Sequence, residues 1–579
     1  MTDLINQHLD IWTSAIASKA SIGRGNKSPS PAGEGRGEGN STNSRNTKYT
    51  AYGIKKLREL ILELAVRGKL VPQDPTDEHA GELLKRIQSE KDYLTAKGRT
   101  KNKKPLSEVS NKDKQTQIPA GWILARVGSL FNVVYGKGLS NSELTDDGFD
   151  VFGANGIIGK YKEYLYQEPQ LLISCRGAYS GKPNISPKLC FITSNSLVLE
   201  NSWKNLSLKF IYYALTIADK EKIVTGSAQP QVTTTNLDPF PILIPPLAEQ
   251  HRIVAKVDEL MALCDQLEQQ QTDHLAAHQT LVQTLLDTLT QTVDAAEFEQ
   301  AWGRIADHFD TLFTTESSID QLKQTLLQLA VMGKLVPQDS NDEPANVLLD
   351  KIVSQKARLS EDGIIKKQKA LPKISEKEKP FEIPTGWAWA RWDDFTEWMT
   401  YGFTRPMPHV ESGPIIITAK NVQYGYIDIK DVDYTSKDAY ADLNLKDKPK
   451  IGDILITKDG SIGRAAVVNL DQEFCINQSV AVLWLRYCPF NREFLVNAIH
   501  SGYLQNLIWE AAAGAAIKHI SITKFVQFPI AIPPLNEQHR IVVKVDELMT
   551  LCDALKARIA AAQTTQLQLA DAIVEQAVA

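Results

Sequence analysis

Several signatures are missing from this 579-residue chain, and each absence removes a class of function. No apolar run approaches the ~18 residues that a membrane-spanning helix needs, which excludes a transmembrane helix. The opening segment, MTDLINQHLDIWTSAIASKA, has neither a basic n-region nor a cleavage box, so a secretory signal is not expected. The six cysteines, at 175, 190, 264, 475, 488 and 552, include no C-x-x-C pair. That excludes a zinc ribbon, argues against a disulfide framework, and makes the reducing cytoplasm the expected compartment. No H-E-x-x-H and no G-x-S-x-G occurs. The nearest thing to a P-loop, FGANGIIGKY at 152–161, places five residues between Gly153 and Gly159 and has Tyr161 where Ser or Thr belongs. An amino-methyltransferase tetrapeptide is also missing, LDPF at 237–240 lacking its second proline. His251 and His539 sit on charged helix starts and read as helix-terminal or interface residues rather than catalysts. No enzyme is visible. A basic excess is lacking too: 64 Lys+Arg stand against 69 Asp+Glu, a net charge of −5, which on the whole-chain scale opposes nucleic-acid binding.

What the chain does have is a repeat. GKLVPQD at Gly68–Asp74 recurs at Gly333–Asp339, and IPAGW at 118 recurs as IPTGW at 383, both at an offset of 265. PPLAEQHRIVAKVDELMALCDQL (245–267) returns as PPLNEQHRIVVKVDELMTLCDAL (533–555), differing at four of 23 positions. INQHLDIW (5–12) has a fainter echo in IADHFDTL (305–312). A tandem duplication therefore replaces the four domains that length alone suggests. Between the matched blocks, 118–245 and 383–533 share only punctuation: VYGKG with TYGFT, LISCRGAYSGK with LITKDGSIGR, FPILIPP with FPIAIPP. The frame is kept while its contents vary.

Leu57, Leu60, Ile61, Leu64 and Ala65 fall at helical spacing, with Gly68 as the stop and Pro72 beyond it. The second repeated block carries a tighter seam. Ile253, Val257, Leu260, Cys264 and Leu267 alternate spacings of four and three, and Ile541, Val545, Leu548, Cys552, Leu555 and Ile559 repeat the pattern. A 3.5-residue period indicates a coiled coil, and two near-identical seams favour pairing with each other as an antiparallel spacer; the alternative is that each helix packs on its own domain. The divergent segments hold short β-rich runs such as LLISCRG, FITSNSLVL, PIIITAK, DILITKDG and SVAVLWL. They also hold helical stretches at 208–219 and 492–513, so α+β modules with irregular loops are expected. The Lys-rich stretches 95–116 and 360–382 read as linkers, and 21–50 as a flexible loop.

Basic and amide side chains concentrate in the modules' Gly-rich turns. The first offers Lys137, Asn155, Lys160, Tyr161, Arg176, Lys182 and Gln229, and the second Arg405, Lys420, Asn421, Lys458, Arg464, Lys518, His519 and Lys524. Arg and Lys suit phosphates or guanine edges, Asn and Gln adenine edges. Tyr135, Tyr179 and Tyr401 are candidate supports. Taken singly, each is an ordinary solvated residue; as sets they form a candidate binding face.

With two modules that each end in P-P-L-x-E-Q-x-x-I-V (245–254 and 533–542), and with the GKLVPQ and IPxGW blocks in the same order twice, the chain resembles the specificity (HsdS) subunits of type I restriction-modification systems over nearly its whole length. The resemblance implies an α+β fold with two α/β target-recognition domains (118–245 and 383–533). These are set among an N-terminal helical region with a flexible loop and linker (1–117), a central helical region (246–382) and a C-terminal helix (534–579). The helices form the spacer, with Ile253, Val257, Leu260, Leu267, Ile541, Val545, Leu548 and Leu555 as spacer and partner-interface residues. It implies a non-catalytic reader of double-stranded DNA that recruits two methylase subunits and restriction subunits. The chain itself would bind no cofactor or metal; S-adenosylmethionine, ATP and Mg2+ would belong to those partners. A repeat-built scaffold or DNA-binding regulator, and a fused adenine-N6 methyltransferase, are the alternatives.

Overall fold

The computed structural model describes residues 2–18, 49–97, 106, 118–201, 204–226, 229–292, 295–365, 371–512 and 518–578. Most of the loop at 21–50 and of the stretch 95–116 lies outside the described residues. Two compact units divide the chain: Met1–His274 with Ala562–Ala579, and Leu275–Ala561. Both cuts fall inside long helices, Leu247–Gln291 and Leu535–Val578, so the units cross the block boundaries suggested by sequence.

Unit 1 is built on the helix Tyr52–Val66, whose Leu57, Leu60, Ile61, Leu64 and Ala65 are buried. The helix begins earlier than its apolar stripe and ends where Gly68 turns left-handed at φ 72°. The Lys69 amide then bonds back to the Leu64 carbonyl at 2.9 Å. A side chain at Gly68 would also meet Pro119 at 2.8 Å, which ties the GKL block to the IPxGW block. Unit 2 repeats the device: Gly333 has φ 71°, faces Pro384, and the Lys334 amide bonds to Leu329 at 3.0 Å. The lysine of each block also serves a long helix. Lys69 Nζ reaches the Val578 carbonyl at 3.2 Å in unit 1, and Lys334 Nζ reaches those of Thr290 and Thr292 at 3.1 and 2.6 Å in unit 2. A cation at the last carbonyls satisfies orphan acceptors at the negative end of the helix dipole.

The seams are distributed accordingly. Ile253, Val257, Leu260 and Cys264 are buried in the core of unit 1 with Leu57, Ile61 and Leu64, and Leu267 packs against that core; so do Leu567, Ile573 and Val574 from the end of the second long helix. In unit 2, Ile541 and Val545 share a core with Leu327, Ala330 and Val331. Cys552, flanked by Leu548, Leu555 and Ile559, packs with Val282, Leu286 and Leu289 from the end of the first long helix. Within each unit the start of one long helix thus meets the end of the other, in the antiparallel sense. Each seam packs into its own unit, beside the repeated helix that precedes its module. All six cysteines are buried free thiols, and burial pushes Cys475 and Cys488 up to about 12.

The modules share one topology. In module 1 a four-stranded antiparallel sheet runs Asn132–Tyr135, Ser196–Glu200, Leu171–Ser174, Pro183–Ile185; in module 2 the same order is Trp398–Tyr401, Val480–Trp484, Ile454–Thr457, Ala465–Val467. A three-stranded sheet adjoins each, with one parallel pair, Phe149–Phe152 with Phe191–Ile192 and Val410–Ile417 with Phe474–Ile476. The first and last strands of each module pair antiparallel, Ile123–Arg126 with Pro241–Ile244 and Ala388–Arg391 with Pro529–Ile532, so each module closes on itself before handing the chain to its helix. The helical stretch 492–513 is two helices, Arg492–His500 and Gly502–Ala511, because the Ser501 hydroxyl caps the second. Nor is the end of 360–382 a free linker. Arg391 binds the Pro372 carbonyl and Glu378, and Phe381 stacks on Trp389 and Tyr503.

The repeated E-Q-H-R sequence is the joint between module and helix. Glu249 accepts a hydrogen bond from the Trp122 indole and Glu537 from Trp387, each at 3.0 Å. Gln250 and Gln538 donate to the Pro245 and Pro533 carbonyls, each at 3.0 Å, and accept the amides of Ser207 and Asn491. Arg252 pairs with Asp77 at 2.6 Å and Arg540 with Asp342 at 2.7 Å. The histidines are exposed. Burial raises both glutamates above the usual carboxylate range, the indoles opposing it. Glu537 has a further donor in Gln338 at 3.2 Å, whereas Oε1 of Glu249 has no partner among the described residues. Trp122→Phe should therefore destabilise unit 1 by about 1–3 kcal/mol by removing a buried donor. Glu249→Gln keeps an acceptor for the indole and removes a buried charge, so its stability at neutral pH should equal or exceed the parent's. Denaturant unfolding of both variants checks this; equal losses in the two would contradict it.

Candidate nucleic-acid interface

At one end of module 1 the backbone knits five loops together. The Lys137 amide donates to Ile192 (2.9 Å), Thr193 to Phe152 (2.9 Å), Cys175 to Asn195 (3.0 Å), Val232 to Cys175 (3.0 Å) and Gly177 to Pro230 (3.1 Å). Module 2 makes the same five bonds: Phe403 to Ile476 (3.1 Å), Asn477 to Ile417 (3.2 Å), Lys458 to Ser479 (3.0 Å), Ile520 to Lys458 (3.0 Å) and Gly460 to Lys518 (3.1 Å). Arg176 bridges Gln231 just as Asp459 bridges His519. Gly177 and Gly460 turn left-handed at φ 79° and 76°, which is what the CRG and KDG punctuation encodes. Tyr135 and Tyr401 occupy one register position, each exposed and each followed by a glycine that lies against a neighbouring backbone carbonyl. The scaffold is common to the modules, and the side chains it presents are not.

The candidates of module 1 divide into two groups. Lys137, Arg176, Lys182 and Gln229 are exposed on or beside the knitted loops. Asn155 lies in the adjoining turn, where its carbonyl oxygen is buried without a partner among the described residues, as is the Thr193 hydroxyl nearby. Unpaired buried acceptors are uncommon, and two beside one loop cluster mark a place where a ligand donor could fit. Lys160 and Tyr161 sit instead on the outer strand Ile157–Tyr161, Lys160 within 3.8 Å of Asp150 and Tyr161 edge-on to Phe191. Lys182 lies over the exposed ring of Tyr179 at 5.6 Å.

Module 2 needs two corrections. Asn421 is 2% exposed, and its side chain accepts the Thr418 amide and donates to the carbonyls of Asp428 and Asp431, so it builds its loop rather than facing a ligand. Lys458 is 7% exposed, with its ammonium on Asp459 at 2.7 Å and over the Tyr401 ring at 5.1 Å, which makes it a support. His519 binds the other Asp459 oxygen at 2.5 Å. Burial would raise the Asp459 carboxyl, but the hydrogen bonds from His519 and Lys458 outweigh it and hold it low. Arg464 is half-buried, bonded to Gln423 at 3.0 Å, and Lys518 is exposed. Arg405 reaches the Ala439 carbonyl at 3.3 Å, Lys420 pairs with Asp431 at 3.2 Å, and Lys524 points at the last carbonyl of the helix Gly502–Ala511, 3.4 Å away. The proposed spacer residues Ile253, Val257, Leu260, Ile541 and Val545 are buried within their own units, which leaves them unavailable as a face for another chain.

A family profile described as "Type I restriction modification DNA specificity domain" matches residues 119–277 and 407–562, more than half the chain and both modules. The chain belongs to that family. It is 37% identical to the type I restriction enzyme EcoAI specificity subunit and 35% identical to the EcoEI specificity subunit, both from Escherichia coli, over 99% of both partners in each case. A solved HsdS subunit from Thermoanaerobacter tengcongensis aligns over 80% of this chain and 98% of its own with 17% identity and a TM-score of 0.39. The chain is a specificity subunit with two recognition domains, and the five-loop scaffold lies within those domains. Among the described residues no helix is long and apolar enough to cross a membrane.

Sequence reasoning missed three members of the specificity subunit's loop scaffold. Gln231, Asp459 and Tyr424 all lie in it or beside it, and Asp459 is an acid among loops whose sequence signal is cations and amides. Tyr424 is exposed, beneath Arg464 at 5.8 Å and tilted on His500 at 4.9 Å. His500 is buried, accepts the Ala465 amide at 3.0 Å, and is pushed by burial from 6.5 down to about 4. It is thus neutral in the fold while an unfolded chain protonates it near 6.5, so its contribution is complete above that pH and lost as pH falls toward 4. His500→Gln should flatten the acid side of the stability curve of unit 2 between those values. Unfolding midpoints measured across this range check it; parallel curves would contradict it.

Proposed function

We propose that this specificity subunit is the non-catalytic, DNA-reading component of a type I restriction-modification complex. Module 1 reads one half of a split target on double-stranded DNA and module 2 the other. The observation that carries the reading is the shared loop scaffold with unlike side chains at its matched bridge positions: Arg176 and Gln231 in one, Asp459 and His519 in the other. Two different faces on one scaffold make the target asymmetric. The first long helix, 45 residues and roughly 67 Å at ~1.5 Å per residue, exceeds the ~34 Å of one duplex turn, enough for a rigid spacer that sets the gap of unread bases.

The helices also supply a docking face for two identical methylase subunits. The four differing positions of the repeated block, Ala248/Asn536, Ala255/Val543, Ala262/Thr550 and Gln266/Ala554, are all exposed. They recur at steps of seven, seven and four, which places them in one stripe, since a helix drifts only ~20° per seven residues. Everything else on the surface of that block is the same in both copies, so one kind of partner can grip both. The methylase would bring S-adenosylmethionine for adenine-N6 methylation, and restriction subunits would bring ATP- and Mg2+-dependent cleavage, in the cytoplasm and away from membranes. With a net charge of −5 the chain alone should hold DNA weakly, its partners supplying much of the phosphate grip. Exchanging residues 118–245 for the corresponding module of a relative should change one half of the methylated sequence only, read by mapping methylated sites on DNA. A change in both halves would contradict independent modules.

A further inference from the structure

The two loop scaffolds align residue by residue, and that alignment separates what the modules have in common from what they do not. The paired loop strands equate Ser174 with Thr457 and Lys182 with Arg464: the Ser174 amide bonds to the Lys182 carbonyl and the Thr457 amide to the Arg464 carbonyl, each at 2.9 Å. At this position both modules carry a cation, each over an exposed tyrosine, Tyr179 or Tyr424. The two bridges equate Arg176 with Asp459 and Gln231 with His519. Here the modules differ as far as side chains can, a cation against an anion and an amide against an imidazole. Both pairs are held through their backbones, so nothing in the scaffold dictates their side chains. Arg176 and Gln231 are exposed, and among the described residues Arg176 has no ion-pair partner. Asp459 is instead held in place by His519 and Lys458.

We propose, building on the DNA-reading function above, that the bridged pairs Arg176–Gln231 and Asp459–His519 are the base-reading positions, while Lys182 and Arg464 grip the phosphate backbone of each half-site. The chemistry is complementary to base edges. An arginine donates two bonds to guanine O6 and N7, and a glutamine pairs with adenine N6 and N7. A carboxylate accepts from an exocyclic amine, as of cytosine N4. Lys182 and Arg464 are alike because every duplex offers the same phosphates.

The test uses the full chain assembled with its methylase subunits and a pool of duplexes carrying a randomised central stretch. Bound sequences are selected and read for the parent, Arg176→Gln, Asp459→Asn and Lys182→Ala. Arg176→Gln should lose preference at one or two bases of one half-site, by roughly tenfold to a hundredfold, with the other half unchanged. Asp459→Asn should do the same in the opposite half. Lys182→Ala should weaken binding to all sequences alike and reduce the salt dependence by about one counterion. If the parent enriches a split target and Arg176→Gln keeps every base preference while binding weakens evenly, Arg176 is a phosphate contact and the assignment is overturned. If even the parent assembly enriches no sequence, the DNA-reading function itself falls, and this assignment with it. Because the side chain of Arg176 is outside the hydrogen-bonded scaffold, the variant should unfold at the parent's denaturant midpoint, which separates lost reading from lost fold.

Discussion

Each recognition module is fixed to its helix by an indole–carboxylate hydrogen bond in the helix's first turn, Trp122 to Glu249 and Trp387 to Glu537. The neighbouring glutamine and arginine extend that joint to the Pro-Pro turn, the module's own helix and the Asp after the GKLVPQD block. Buried polar groups tolerate little substitution, because replacing either partner strands the other away from water. The E-Q-H-R sequence repeats unchanged for this reason: its glutamate, glutamine and arginine are partnered inside the joint, and the four differences of the longer repeated block lie on one exposed stripe.

A rigid joint frees the rest of the module. Its sheets keep one strand order, its first and last strands close on each other, and its loops are tied by backbone bonds that constrain the side chain only at glycines such as Gly177 and Gly460. The face can therefore change from Arg176 and Gln231 to Asp459 and His519 with little cost to the fold. Where side chains do enter the scaffold, as with Asn421 or Lys458, they are structural and belong to one module only. The net charge of the whole chain says little about such a face, since it sums every acidic and basic residue of the chain and not those of the loops alone.

Much of this was legible in the sequence, for physical reasons that differ by element. The helix carrying Leu57 to Ala65 and the stop at Gly68 followed from spacing and from the conformational freedom of glycine. The repeat located the modules, and the CRG and KDG punctuation located their loops. The seam's period was real but its partner was not readable: Ile253 and Ile541 have the spacing of a coiled coil, yet each packs into its own unit, while Leu548 and Leu555 meet the late part of the first long helix. Periodicity reports which face is apolar and is silent on what covers it. The binding residues were least legible, because Asn421 and Lys458 look like surface readers until their hydrogen bonds are seen. Gln231 and Asp459 gain meaning only from the bridge that places them in one register.

On one frame with two interchangeable faces, residues 383–533 can be replaced by a second copy of 118–245, the chain assembled with methylase, and the methylated sites on DNA mapped. Methylation of a split target whose two halves carry the same sequence on opposite strands is expected. A folded, assembled chain that still modifies a target with two unlike halves would contradict it.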